Sequence, residues 1–97
     1  LAESAYRKSI EMDKQSPEGY LKLGDMYLDQ QKSEQAFAEY QSALKAKFID
    51  PDSMFVIYDR LRSLGKTTEA AEVFNKLRGM NLSEQQMTKL QERQKGN

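Results

Sequence analysis

Two segments of the chain carry nearly the same pattern: SPEGYLKLGDMYLDQQKSEQAFAEYQSAL over residues 16–44 and DPDSMFVIYDRLRSLGKTTEAAEVFNKL over residues 50–77. Similar residues recur 34 positions apart along both segments. The pairs are Pro17 and Pro51, Tyr20 and Met54, Leu23 and Ile57, Tyr27 and Leu61, Ser33 and Thr67, Ala36 and Ala70, and Tyr40 and Phe74. A fixed period of this length indicates an internal structural repeat.

Each repeat shows the spacing of two helices. In the first segment, apolar residues recur three and four positions apart from Tyr20 to Tyr27 and again, after a break, from Ala36 to Leu44. Gly65 marks the turn between the two helices of the later unit. Gln31 stands at the equivalent position of the earlier unit, so we expect that turn to form without the freedom of glycine at positive φ.

Capping residues mark the predicted helix starts. Residues 16–17 and 50–51 each place a capping side chain before a proline at the first helical position, where the missing amide of proline costs nothing. The hydroxyls of Ser33 and Thr67 are predicted to accept hydrogen bonds from the first amides of the second helices. Each unit is therefore expected to be a helical hairpin.

The flanking segments continue the pattern. Ala2 and Tyr6 fall in register with the second helix of an earlier unit, while Ser83 begins a capping box before a final polar helix. Leu1 enters the amphipathic pattern without a cap, which suggests a segment of a longer protein. The predicted organisation is one domain over residues 1–97: the second helix of a truncated repeat (1–15), two repeats (17–50 and 51–82) and a C-terminal capping helix (83–95).

This pattern resembles the tetratricopeptide repeat, in which W-x2-L-G-x2-Y is followed by A-x3-F and then by proline. The first unit matches at Tyr20, Leu23, Gly24, Tyr27, Ala36 and Tyr40, and the second at Met54, Ile57, Leu61, Ala70 and Phe74. Tyr58 replaces the usual small residue of the second unit, and neither Lys14 nor Phe48 is the closing proline. The resemblance implies an all-α fold, a right-handed superhelical array of antiparallel helix hairpins whose stacking supplies the core that one hairpin lacks.

Composition argues against several functional classes. The 97 residues contain 15 basic and 15 acidic side chains, and neither histidine nor cysteine. The commonest general base and the main metal ligands are thus missing, and Asp25 and Asp29, four positions apart, are typical of a solvated helix face. The stretch LGKTTEA from Leu64 lacks the first glycine of a phosphate loop. We predict no enzyme activity, no metal and no cofactor; no apolar run reaches the roughly 18 residues of a membrane span, and the sequence indicates no location.

The resemblance also implies a binding surface. In tetratricopeptide arrays the first helices line a concave groove, and ligands contact the second, fifth, ninth, twelfth and thirteenth positions of each unit. On this chain those positions are Glu18, Leu21, Asp25, Leu28 and Asp29, then Asp52, Phe55, Asp59, Arg62 and Ser63, with Thr88 and Glu92 added by the final helix. Such a groove would be acidic, with apolar spots at Leu21, Leu28 and Phe55.

The charges of this predicted groove narrow the kind of partner. Members of the family that clamp a C-terminal carboxylate use basic or amide residues where this chain has Asp25 and Asp59, so a carboxylate clamp is not expected. The groove favours a protein or peptide with basic and apolar residues. The acidic surface and zero net charge argue against an RNA-reading helical repeat.

Two further interpretations stay open at this point. The chain could be a structural spacer of a longer repeat scaffold, with no ligand of its own. A stripe of Ala2, Tyr6 and Ile10 on the N-terminal helix could also support self-association, or be covered by another helix. The remaining aromatic side chains of the repeats, Tyr20, Tyr27, Tyr40 and Phe74, are expected in the core.

Overall fold

The computed structural model describes residues 2–12 and 15–95, and within these ranges the chain forms six helices and no strand. They are α1 (Ala2–Met12), α2 (Glu18–Asp29), α3 (Ser33–Leu44), α4 (Pro51–Ser63), α5 (Thr67–Arg78) and α6 (Glu84–Lys95). Each helix packs against the next one in the chain. The molecule measures 39 × 26 × 18 Å along its principal axes. This elongated stack of consecutive helices confirms the prediction of an all-α, repeat-like fold.

One hydrophobic core runs from Ile10 on α1 to Leu77 on α5. Most of the residues that repeat 34 positions apart are buried in it; the fully buried ones include Leu23, Tyr40, Ile57 and Leu61. Tyr20 is only partly buried and packs at the margin of the core. Because the core crosses from one hairpin to the next, the two hairpins stabilise each other by sharing buried apolar surface.

The predicted caps of α4 and α6 are confirmed. The Asp50 carboxylate accepts a hydrogen bond from the Ser53 amide at 3.2 Å, and Pro51 follows as the first residue of α4. At α6, the Ser83 hydroxyl accepts from the Gln86 amide at 3.2 Å, while the Gln86 side chain accepts from the Ser83 amide at 3.0 Å. These bonds satisfy amides that have no partner inside the helix.

The start of α2 differs by one residue from the prediction. Pro17 precedes the helix with φ −76° and ψ −13°, and α2 begins at Glu18. The Ser16 hydroxyl nevertheless accepts from the Glu18 amide at 3.3 Å. The predicted contact of Ser16 with the first turn is therefore present, although proline is not the first helical residue.

The predicted capping role of Ser33 and Thr67 is wrong. Both residues are the first of their helices, and the capping positions belong to Lys32 and Lys66, which make no side-chain capping bond. The turn before each helix ends in a backbone bond from Lys32 N to Tyr27 O at 2.8 Å, and its counterpart joins Lys66 N to Leu61 O at 2.9 Å. With these bonds formed, Lys32 is the N-cap residue of α3 and Lys66 is the N-cap residue of α5.

The conformation of Gln31 also differs from the prediction. Gln31 adopts a φ of +60°, and Gly65 at the equivalent position adopts +78°. The first turn therefore has the same left-handed backbone as the second, and Gln31 adopts it despite its Cβ atom. The backbone bond from Lys32 N to Tyr27 O closes the end of α2, and this bond requires a left-handed residue just after the helix.

Candidate functional site

Polar bridges join the first helices of successive units. Arg60 Nε on α4 donates to Asp25 Oδ1 on α2 at 3.0 Å. Arg93 on α6 donates to both carboxylate oxygens of Asp59 on α4, with Nε at 3.0 Å and Nη2 at 2.7 Å. The three helices thus lie side by side in the order α2, α4, α6. We call the surface that they form the first-helix surface.

An open groove lies on this surface between α2 and α4. It has a volume of about 390 Å³ and is lined by Asp25, Leu28, Asp29, Arg60 and Ser63. Four of these residues stand at positions assigned to ligand contact by the resemblance, and the structure brings them together. Arg60 is the lining residue that the sequence analysis missed.

Asp25 has a structural role at this groove. The buried Tyr40 hydroxyl on α3 and the Arg60 guanidinium on α4 both donate to its carboxylate. Burial, followed by the bond to Asp25, raises the pKa of Tyr40 well above its usual value. The bond to Asp25 also raises the pKa of Arg60. Asp25 therefore connects three helices, and its charge is largely matched within the chain.

Asp29 is the carboxylate of the groove that stays available. It is exposed on the last turn of α2, and it forms no ion pair with any of the described residues. Leu28 beside it is partly buried and packs against the core. The groove thus combines a free negative charge with adjacent apolar surface.

The second half of the predicted surface contacts α6. Phe55 is 2% exposed, so the expected apolar spot at this position is wrong. The Arg93 guanidinium lies 4.8 Å from the centroid of its ring. Asp52 accepts a hydrogen bond from Gln86 at 3.3 Å and has Lys89 Nζ at 3.8 Å. The final helix therefore pairs with Asp52 and Asp59 and lies against Phe55.

The remaining predicted residues lie apart from the groove. Glu18 is exposed and pairs with Lys22 on the same helix at 2.9 Å, and Leu21 is partly buried. Arg62 lies over the Tyr58 ring, 5.8 Å from its centroid, and lines a different cavity of about 230 Å³ between α4 and α5. Thr88 and Glu92 are exposed on α6.

An acidic residue followed by arginine occurs on both α4 and α6 and could have indicated the two bridges. Arg60 follows Asp59 on α4, and Arg93 follows Glu92 on α6, 33 positions later. On α4 the acidic residue of this pair contacts the following first helix and the basic residue contacts the preceding one. Arg60 and Arg93 pair across helices, and neither stands at a position assigned to ligand contact.

The N-terminal helix is anchored by polar and apolar contacts. The Tyr27 hydroxyl donates to Glu3 at 2.6 Å and accepts from Arg7 at 3.0 Å. Ile10 is buried, and Tyr6 is partly buried against the core. The side chain of Ala2 lies outside the described part of the structure, as do Leu1 and Lys14. Self-association through this helix stays a prediction, which the sedimentation behaviour of the chain would test.

Across the described ranges, no three carboxylates lie close enough together to hold a metal ion. None of the helices in these ranges has the length and apolar character needed to cross a membrane.

The fold and the first-helix surface define an α-helical repeat protein. The sequence model of the tetratricopeptide repeat family matches residues 5–38, which cover most of α1, all of α2 and the first half of α3. No curated protein and no solved structure matches the chain. The match confirms the resemblance to the tetratricopeptide repeat over residues 5–38. Members of this family are generally protein-interaction modules and are typically not enzymes.

Proposed function

We propose that the chain is a protein-interaction scaffold that binds a peptide or partner surface in the groove between α2 and α4. The observation that carries the proposal is the position of Asp29, an exposed carboxylate without an ion-pair partner in the described residues, beside Leu28 and Ser63 in that groove. A basic side chain of a partner would pair with Asp29. An adjacent aliphatic or aromatic side chain would cover Leu28.

Other positions extend the proposed contact along α2. Glu18 and Leu21 precede the groove by two and one helical turns, and both stand at positions assigned to ligand contact by the resemblance. Asp25 contributes to the negative potential but is held by Tyr40 and Arg60. The partner that fits best carries basic and apolar residues in alternation along one face.

The test compares two charge reversals on the full chain. Asp29→Lys reverses the free carboxylate of the groove, and Glu72→Lys makes the same charge change at an exposed position of α5. A displayed library of short random peptides is selected on the parent chain, and the selected peptides are measured by calorimetry against all three proteins. We expect basic and apolar peptides whose affinity falls at least about tenfold with Asp29→Lys, because repulsion replaces attraction. Glu72→Lys should leave the affinity unchanged.

The choice of Asp29 avoids an ambiguity in the experiment. Reversing Asp25 or Asp59 would also break the bridges to Arg60 or Arg93, so a loss of binding could reflect a change of fold. Equal affinity for the parent chain and Asp29→Lys would contradict the proposal. Thermal melting by circular dichroism should give the same curve for all three proteins.

A structural spacer is the second candidate. The observation that favours it is the internal pairing of Asp25, Asp52 and Asp59 with cations of the same chain. If these charges serve only to hold successive units together, the selection will enrich no peptide that depends on Asp29. The same experiment therefore separates the two functions.

A further inference from the structure

Arg93 is held in a site built by two residues of α4. Its guanidinium donates to both oxygens of Asp59, at 3.0 and 2.7 Å, and lies 4.8 Å from the centroid of the Phe55 ring. The Arg93 side chain is 23% exposed and that of Asp59 44% exposed. A planar guanidinium with a carboxylate at its edge and an aromatic ring beside it is a specific arrangement, because an ammonium group lacks the paired donors and the flat face.

The preceding unit has a similar bridge, but its arginine belongs to a helix that is more deeply buried. Arg60 reaches Asp25 from α4, a helix with five buried residues, and makes one bond to it. Arg93 reaches Asp59 from α6, which has no buried residue within the described structure. On α6 Leu90 is only partly buried and Met87 is 50% exposed.

The attachment of α6 to α4 rests on polar side chains. Gln86 and Lys89 contact Asp52, and Arg93 contacts Asp59. Partly exposed pairs of this kind contribute little to stability and are weakened by salt, whereas the burial of α4 in the core is not. α6 can therefore move away from Asp59 together with Arg93 without exposing a buried residue of its own, whereas α4, which carries Arg60, cannot leave α2 in this way.

We propose that Asp59 and Phe55 form a binding site for an arginine side chain of a protein partner, and that Arg93 occupies this site in the free chain. A partner's arginine competes with Arg93, so α6 limits access to the site. The ligand chemistry is a guanidinium, and lysine is a poor substitute. This site lies between α4 and α6 and does not rest on the proposed groove between α2 and α4.

The test uses small probes that fit the site without requiring α6 to leave. N-acetyl-arginine amide and N-acetyl-lysine amide are titrated into the full chain, and the ring resonances of Phe55 are followed by NMR. We expect Arg93→Ala to bind the arginine amide at least about tenfold more tightly than the parent chain, because the resident guanidinium is gone. The lysine amide should bind the variant about tenfold more weakly than the arginine amide does.

Three further variants test whether the gain in binding comes from the site at Asp59. Arg78→Ala removes the same charge from an exposed position of α5 and should behave as the parent chain. Adding Asp59→Asn to Arg93→Ala should abolish the gain. Asp29→Lys should leave the binding of the arginine amide unchanged, so a failure of the groove proposal is distinguishable from a failure here.

Three results would overturn the inference: equal binding by the parent chain and Arg93→Ala, equal binding of the two amides, or a gain that survives Asp59→Asn. If Arg93→Ala does not keep the helical melting curve of the parent chain, Arg93→Lys gives the same comparison. Lysine keeps an aliphatic stem and the positive charge. The Arg93→Lys variant should bind the arginine amide more tightly than the parent chain does, because lysine binds Asp59 and Phe55 less well than arginine.

Discussion

Gln31 and Gly65 show how one backbone requirement is met by two different residues. Both follow the first helix of a unit and both adopt positive φ, +60° and +78°. A residue with a Cβ atom is strained in this region by roughly 1–2 kcal/mol, whereas glycine is not. The first turn therefore carries local strain that the second turn lacks.

Replacing Gln31 should relieve this strain. We expect Gln31→Gly to raise the free energy of unfolding by about 0.5–1 kcal/mol, since the relief exceeds the extra entropy that glycine gives the unfolded chain. Urea denaturation of the full chain measures the change. Gln30→Gly, at a neighbouring position with φ −87°, is the control and should lower the free energy of unfolding. A lower stability of Gln31→Gly would show that the side chain makes a compensating contact.

At the scale of the element, the two hairpins use different residues to bring their helices together. A Cβ atom at Gly24 on α2 would lie 2.6 Å from Tyr40 Cε1 on α3, so the tyrosine ring occupies the space that glycine leaves. In the second unit the equivalent position is Tyr58, whose ring lies 5.6 Å from that of Phe74. The large side chain of Tyr58, at a position that is usually small in the family pattern, therefore packs against the Phe74 ring.

The packing at Gly24 predicts the effect of a single methyl group. We expect Gly24→Ala to lower the free energy of unfolding by about 1–3 kcal/mol, because the buried Tyr40 ring must move and its bond to Asp25 is disturbed. Alanine's higher helix propensity, about 1 kcal/mol, offsets only part of this loss. Gly79→Ala, where the nearest atom would be 3.6 Å away, should change stability by less than about 0.5 kcal/mol. Equal unfolding midpoints for the two variants would contradict the close approach.

At the scale of the whole molecule, one polar network spans the boundary between units. Tyr40 on α3 and Arg60 on α4 both donate to Asp25 on α2. The network lies beside the continuous core and couples the first hairpin to the second. Its protonation state therefore affects the stability of the whole array.

The network predicts a loss of stability at alkaline pH. Burial raises the pKa of Tyr40, while a tyrosine in the unfolded chain ionises near pH 10, about its usual value. Above that pH the unfolded state holds fewer protons than the folded state, so the free energy of unfolding falls as the pH rises. The bond to Glu3 raises the pKa of Tyr27 and adds an effect of the same sign. Below about pH 9 neither tyrosine makes stability depend on pH.

Substitution of Tyr40 tests whether this tyrosine causes the loss of stability at alkaline pH. Urea unfolding across the alkaline range should show a shallower loss for Tyr40→Phe than for the parent chain. At neutral pH the variant should be about 1 kcal/mol less stable, because one hydrogen bond is missing. Tyr20→Phe removes a tyrosine hydroxyl at the margin of the core and serves as the control. Parallel pH profiles for the parent chain and Tyr40→Phe would rule out Tyr40 as the source.

Much of the fold was predictable because it depends on local patterns. The apolar stripes and the caps at Asp50 and Ser83 each involve residues within a few turns of one another, and the period of 34 residues is visible in the linear sequence. Such patterns indicate which segments are helical and which face each helix buries. The capping roles of Ser33 and Thr67 were predicted wrongly because each turn places a lysine, Lys32 or Lys66, at the capping position, so that the hydroxyl residue is the first residue of its helix.

The sequence by itself determined that this protein is a repeated array of helices, since helix periodicity and the repeat length are properties of the linear chain. Only the tertiary structure decided which charges of the first-helix surface are free and which are paired. Asp25 and Asp59 read as identical positions of a groove, yet they pair with Arg60 and Arg93, which lie 35 and 34 residues further along the chain. Those contacts depend on how one helix is placed beside another, and packing across the units, rather than any local rule, sets that placement.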